Sequence, residues 1–271
     1  MMKTLWKGKE ITLSNGKVVY QKPSAVPLII LLLVIFTGIA MKVTQFEFSA
    51  LVTRGSQFFV ILKGMFPPDL TFLDRVWQPL FDTIKMSLLG SLVGAIVSVP
   101  LALLASSNIV HSKIITGFFK LVFSILRTLP TIVTALIATF IFGLGTMAGT
   151  LAIFIFTVAY VGKLTYEQIE SLDMSTFEAL ESMGLTRFQA FRYAIIPEIL
   201  PTFLSTALFN FEGNLRYASI LGYVGAGGLG IILNEQLGWR EYGNVGTILL
   251  VLIITVAIIE SISEYTRKKL Q

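Results

Sequence analysis

The chain has 271 residues, of which 54% are hydrophobic and only 14% charged, whereas soluble domains average about 25% charged and 45–50% apolar residues. This excludes a soluble globular protein, and the lack of any cysteine excludes disulfides and thiolate metal sites. The net charge of +5 gains meaning only from the side of a membrane on which each Lys and Arg falls.

Residues 1–25 are polar, too long a stretch for the basic region of a signal peptide, and the apolar run 26–41 that follows lacks an A-x-A-like end. It reads as a retained anchor helix. Segment 42–79 mixes Phe46, Phe48, Phe58, Phe59, Phe66, Phe72 and Trp77 with Pro67 and Pro68, which predicts a structure lying along the outer membrane interface. A membrane-embedded core is expected over 80–262, with spans at 80–106, 114–142, 145–162, 198–221 and 244–262. With 26–41 these make about six transmembrane helices of an all-α membrane protein. Residues 114–142 are too many for one perpendicular crossing; either the helix tilts, or Pro130 kinks it. A short tail, 263–271, ends the chain.

Placing both termini in the cytoplasm puts Lys3, Lys7, Lys9, Lys17, Lys22, Lys113, Lys120, Arg127, Lys163, Arg187, Arg192, Arg267, Lys268 and Lys269 on or towards the inside, 14 of 21 Lys and Arg. Short loops then obey the positive-inside bias. Arg267-Lys268-Lys269, directly after a span, speaks most clearly for this orientation.

The inner loop 163–197 contains STFEALESMGLTRFQAFRYAIIPEILP from Ser175. Ser175 with Glu178 and Thr186 with Gln189 each have capping-box spacing. Gly184 lies between them, where a helix end calls for a left-handed residue, and Pro197 interrupts the second helix or restarts the chain into the next span. The prediction is a helix, a turn and a helix, with Phe177, Leu180 and Met183 forming one apolar stripe. Helices this short do not stand alone in water. They pack on the protein's own spans or on a partner.

This loop resembles the EAA motif of importer permeases: E-A-A, three residues, Gly, nine residues, then I-x-L-P. Glu178, Ala179, Gly184 and Pro197 match, while Leu180, Ala194 and Ile196 depart, each apolar for apolar. The resemblance implies a type I ABC importer permease fold in which Glu178, Ala179, Leu180 and Gly184 form a cytoplasmic coupling helix docked on a separate ATPase, with Pro197 setting the exit. Closure of the ATPases on ATP would pull the loop and rock the spans.

From Ser219 the chain reads SILGYVGAGGLGIILNEQLGWREYGNV. Gly222, Gly225, Gly227, Gly228 and Gly230 are too dense for a plain helix; the run lines a cavity or packs helices tightly through small residues. Together with Glu260, Ser263 and Arg267 near the end, it is similar to the phosphonate-type permeases, in a group that includes the methionine importer permeases. That implies transport of phosphonate, phosphite or phosphate, the alternatives being methionine or another small solute, or a secondary transporter. It also implies a bacterial inner or plasma membrane, a homodimer, two ATPase subunits that bind ATP and Mg, and an extracytoplasmic binding protein. For an oxyanion the candidate pathway residues are Arg127, Arg216, Asn210 and Asn214. A charge at membrane depth is costly unless it faces a cavity or a partner, and Arg216 is also placed to pair with Glu212 four residues away.

Nothing points to catalysis, a metal, a cofactor or nucleic acid. The single histidine, His111, sits in a short loop beside Lys113 and reads as solvated. No G-x-x-x-x-G-K-[ST] is present, so the chain has no P-loop.

Overall fold

The computed structural model describes residues 9–12, 16–21 and 25–270; Lys3, Lys7 and Lys22, counted above, lie outside them. The chain divides into two compact units at Val60/Ile61. In the first, β-branched residues and a tyrosine form a short antiparallel ladder, β1 (Lys9–Thr12) with β2 (Val18–Gln21), in the register Lys9↔Gln21 to Thr12↔Val18. Gly16 at φ +77° helps the chain reverse. Helix α1 (Val26–Val43) begins with a proline in its first turn, has no buried side chain and is apolar all round, as a membrane-crossing helix is. Helix α2 (Phe48–Gly64) occupies part of the segment expected along the interface and carries the division between the units.

The second unit begins its packing at a 3₁₀ turn, Leu70–Phe72, capped by Asp69, whose carboxylate accepts from Thr71 N at 2.9 Å and from Thr71 Oγ1 at 2.6 Å. These bonds hold the Asp69 carboxyl below its ordinary value. Helix α3 (Leu73–Ala105) has 33 residues, or about 50 Å at 1.5 Å per residue. It therefore starts seven residues before the expected span. Its buried face is a stripe of small residues, including Ser87, Gly90, Ser91, Gly94, Ala95 and Ser98, which lets α6 (Thr146–Ser171) approach closely. A Cβ on Gly90 would meet Ile153 Cγ2 at 2.8 Å, and one on Gly94 would meet Thr157 Cβ at 2.7 Å.

The stretch expected as one span over 114–142 is two helices, α4 (Lys113–Thr128) and α5 (Thr131–Phe142), at 90° to each other. The kink at Pro130 is the reason: Leu129 (ψ 120°) and Pro130 (ψ 135°) are extended, because a proline ring disfavours the helical region for the residue before it. Among the described residues, five helical stretches are long and apolar enough to cross a membrane, and a sixth if the bent pair counts as one.

After α6 come two short helices, α7 (Ser175–Ser182) and α8 (Arg187–Ala190), then α9 (Ile196–Leu221), α10 (Leu229–Trp239) and α11 (Tyr242–Leu270). Helix α11 runs well past the expected span and includes most of the predicted tail. The core under α5, α6 and α9 is Met86, Ala135, Ala138, Ala148, Ala152, Ile153, Ala218, Leu221 and Ala226. Beside it a buried polar joint ties three helices: Asn214 Nδ2 lies 2.8 Å from Ser91 Oγ, Thr157 Oγ1 and Asn210 Oδ1, and Thr157 Oγ1 donates to Asn210 Oδ1 at 2.8 Å.

The glycine run breaks the backbone between α9 and α10, with Gly225, Gly227 and Gly228 at φ +74°, +88° and +71°. It also packs tightly: a Cβ on Gly222 would fall 2.1 Å from the Gly230 carbonyl carbon. Because that neighbour is backbone, Gly222→Ala should cost at least about 1–3 kcal/mol. A lowered melting temperature of the detergent-solubilised protein is the expected result, and an unchanged one would contradict this packing.

Candidate functional site

The segment 172–197 forms an elbow. Helix α7 does not start with the capping box its sequence offers; its N-cap is Met174, without a side-chain cap. One residue earlier, Asp173 accepts from Ser175 N at 3.0 Å, and this bond keeps the Asp173 carboxyl below its usual range. An Asx turn here replaces the expected box. The helix ends as expected: Gly184 has φ +92°, its N–H bonds Glu181 O at 2.9 Å, and Leu185 N bonds Leu180 O at 3.2 Å, a complete Schellman motif. The second box is present, Thr186 with Gln189. Pro197 does not end the helix. A π turn over Phe191–Ile195, closed by Ile196 N to Phe191 O, leads directly into α9, and the wider turn leaves room for a ring that lacks an N–H and would clash with the carbonyl four residues back.

The underside of the elbow is buried. Phe177, Ala190, Ala194 and Ile195 pack on Ile169 of α6 and Ile199 of α9, with Leu180, Leu103 and Ile109 around them. Its outer side is open: Glu178, Ala179 and Gly184 are exposed, and so are Met183 (69%) and Phe188 (72%). Met183 thus leaves the apolar stripe predicted for it, because the helix ends at Ser182 and the chain turns away. Ion pairing tightens the elbow. Arg187 Nε lies 3.1 Å from Glu181 Oε1, and Arg187 Nη2 lies 3.2 Å from His111 Nε2, so His111 is a contact of the elbow rather than a merely solvated residue.

Two electrostatic groups lie along the helices of the second unit, and of their charged residues only Glu212 is fully buried. On α11, Glu260, Ser263 and Arg267 share a face toward α9. Arg267 Nη2 is 3.3 Å from Glu212 Oε1, and Arg216 Nη2 is 3.4 Å from Glu260 Oε2. Arg216 therefore pairs with Glu260, not with the neighbouring Glu212, which is 3% exposed and answers Arg267. Arg267 is accordingly held within the helix bundle and is not a free tail charge. Asn210 and Asn214 belong to the buried joint described above.

Arg127, at the end of α4, lines a cavity of about 300 Å³ with Lys120, Ser124, Thr128, Lys163 and Tyr166. Lys120 is 2.7 Å from Glu170 Oε1, and Lys163 is 3.2 Å from Glu167 Oε1. Glu170 also accepts from Ser107 N at 2.7 Å, and Asn108 Nδ2 donates to Ile169 O at 2.6 Å. These contacts tie α4 and the 106–112 loop to the helix that enters the elbow. Sequence reasoning missed Lys120, Lys163, Glu170 and Ser107. The available signal was the spacing of Lys120, Ser124, Arg127 and Thr128 on one face of a strongly amphipathic helix. No group of three or more His, Asp or Glu among the described residues is placed to hold a metal.

The fold, with its helix pair bent by 90° and its elbow packed on α6 and α9, is that of type I ABC importer permeases. Residues 98–265 match the family described as binding-protein-dependent transport system inner membrane component, and the chain belongs to this family of multi-pass membrane proteins. It is 31% identical over 230 residues to a putative phosphite transport system permease protein of Stutzerimonas stutzeri, covering 85% of this chain and 82% of the relative. A second phosphite transport system permease protein of that organism is 32% identical, covering 74% of each. A phosphate-import permease protein of Mycolicibacterium smegmatis is 28% identical over 81% of this chain and 41% of its own length. Among solved structures, the inward-facing MetNI methionine ABC transporter aligns with TM-score 0.65 at 20% identity, over 75% of this chain and 99% of the other. That similarity speaks for the fold. Permeases of this class work with an ATPase and a substrate-binding protein, and are in general not themselves catalytic.

At Gly184 a β-branched residue would have to adopt a left-handed backbone, a cost of about 1–2 kcal/mol. Gly184→Val should loosen the elbow and speed its cleavage in limited proteolysis, with α3 and α6 remaining protected. Unaltered cleavage would contradict the Schellman geometry.

Proposed function

We propose that the chain forms the translocation pathway of an ATP-driven importer for a phosphorus oxyanion: phosphonate, phosphite or phosphate. The observation that carries this reading is the elbow, an exposed knob of Glu178, Ala179 and Met183 fixed from beneath by α6 and α9, in a chain whose relatives named above carry phosphite and phosphate transport in their names. Such a knob suits docking into a groove of a separate ATPase, because a movement imposed on it reaches two long helices without slack.

In this reading the elbow and both termini face the cytoplasm, in keeping with the excess of Lys and Arg on that side. Two copies of the chain form the pathway, two ATPase subunits bind and hydrolyse ATP with Mg, and a binding protein hands the substrate to the opposite face. The chain itself holds no cofactor. Glu178, Ala179, Leu180 and Gly184 couple to the ATPase, Leu180 by anchoring the elbow from beneath, with Pro197 setting the entry of α9. Arg127 and Arg216 mark the anion route, which Asn210 and Asn214 join when the α3–α6–α9 joint opens. Guanidinium groups suit this task, since their forked donors match the oxygens of a phosphorus oxyanion.

Uptake competition tests the substrate class. In cells that depend on this permease with its ATPase and binding protein, unlabelled phosphite, phosphonate or phosphate should suppress uptake of a labelled phosphorus oxyanion, and methionine should not. Suppression by methionine alone would overturn the reading.

A further inference from the structure

The cavity between α4 and α6 is built from two helix faces. Lys120, Ser124, Arg127 and Thr128 recur along α4, and Lys163 and Tyr166 lie one turn apart on α6. The helices are locked together beside it: a Cβ on Gly162 would fall 2.4 Å from the Phe123 ring, and Phe123 stacks on Tyr166 with centroids 5.7 Å apart. Lys120 Nζ also lies 5.4 Å from the Tyr166 ring centroid.

Charge decides what the cavity takes. It is lined by three cations, and the two carboxylates that reach them are each committed to a lysine, Glu170 to Lys120 and Glu167 to Lys163. Arg127 has no carboxylate partner among the described residues, so one positive charge is left uncompensated. Hydrocarbon would make such a group very costly, whereas a water-filled cavity carries it. Ser124, Thr128 and Tyr166 add hydroxyl donors around the same space. A cation would meet net repulsion here, and a neutral solute would have no use for the guanidinium.

We propose that this cavity is a transient binding site for a tetrahedral oxyanion on its way through the permease, with Arg127 as the primary anchor and Lys163, Lys120 and Tyr166 as supporting donors. The inference rests on the importer reading above and adds residues that no sequence motif marked. Binding there is weakened by the resident carboxylates, which compete for both lysines, and a waypoint must release as readily as it captures. Glu170 gives the site a mechanical link, because it also holds Ser107 N of the loop packed beneath the elbow. A movement of α6 at the elbow therefore changes how strongly Lys120 is occupied.

The test uses the complete complex, with its ATPase and binding protein, in proteoliposomes, reading phosphite, phosphonate and phosphate taken up per ATP hydrolysed. R127Q/K163Q should lower that ratio about tenfold or more, as expected for loss of charged donors, and R127K/K163R should restore most of it. An unchanged ratio in R127Q/K163Q, or a fall that R127K/K163R leaves in place, would overturn the proposal. Arg127→Gln with Tyr166→Phe serves as the alternative pair should the first fail to assemble with the ATPase, judged by the same ratio and by rescue with Arg127→Lys in the Tyr166→Phe background. If the unaltered complex takes up none of the three oxyanions, the importer reading fails, and not the assignment of this cavity alone.

Discussion

The structure depends on one constraint: the two short helices of the elbow have no stability of their own and are held by burying one face on the ends of α6 and α9. Phe177, Ala190, Ala194, Ile195, Ile169 and Ile199 make that contact. On one side α6 runs straight into it, and on the other a π turn runs from α8 into α9 without a break. Apolar packing at near-crystalline density transmits displacement, while a flexible tether would absorb it. The exposed apex is therefore a handle on the two helices that meet α3 through Gly90, Gly94 and the Asn214 joint.

That junction shows how polarity is managed away from water. Ser91, Thr157, Asn210 and Asn214 bond one another, which gives this buried contact a specific geometry. The α9–α11 pairs, Glu212 with Arg267 and Arg216 with Glu260, are of a different kind. Burying Glu212 costs desolvation that its pair with Arg267 offsets only while it stays intact, so that pair fixes the register of the two helices more than it adds stability.

Much of the architecture was legible in the sequence because membrane helices announce themselves by composition, and because caps and turns act locally. Gly184, the Thr186–Gln189 box and the apolar helix from Val26 fell where the residues said they would. The misreadings have physical causes. Ser175 lost its capping role to Asp173 two residues before it, a competition between short polar side chains that spacing alone does not decide. Proline gave two different outcomes: at Pro130 the chain breaks by 90°, while at Pro197 a π turn absorbs the ring. The partner of Arg216 could not be read from the four-residue spacing to Glu212, since α11 brings Glu260 and Arg267 from more than forty positions away. Lys120 and Lys163 were hidden for the same reason, being brought together only by the packing of α4 on α6.

Because the chain has no cysteine, a single Met183→Cys substitution places one thiol at the apex of the elbow. Cross-linking of that thiol in membranes containing the assembled complex examines the central claim most directly. A covalent product with the ATPase subunit, blocked by no membrane-impermeant thiol reagent added outside intact cells, is the result this account requires. Blocking of the thiol from outside, or cross-links to this chain alone in the assembled complex, would contradict it.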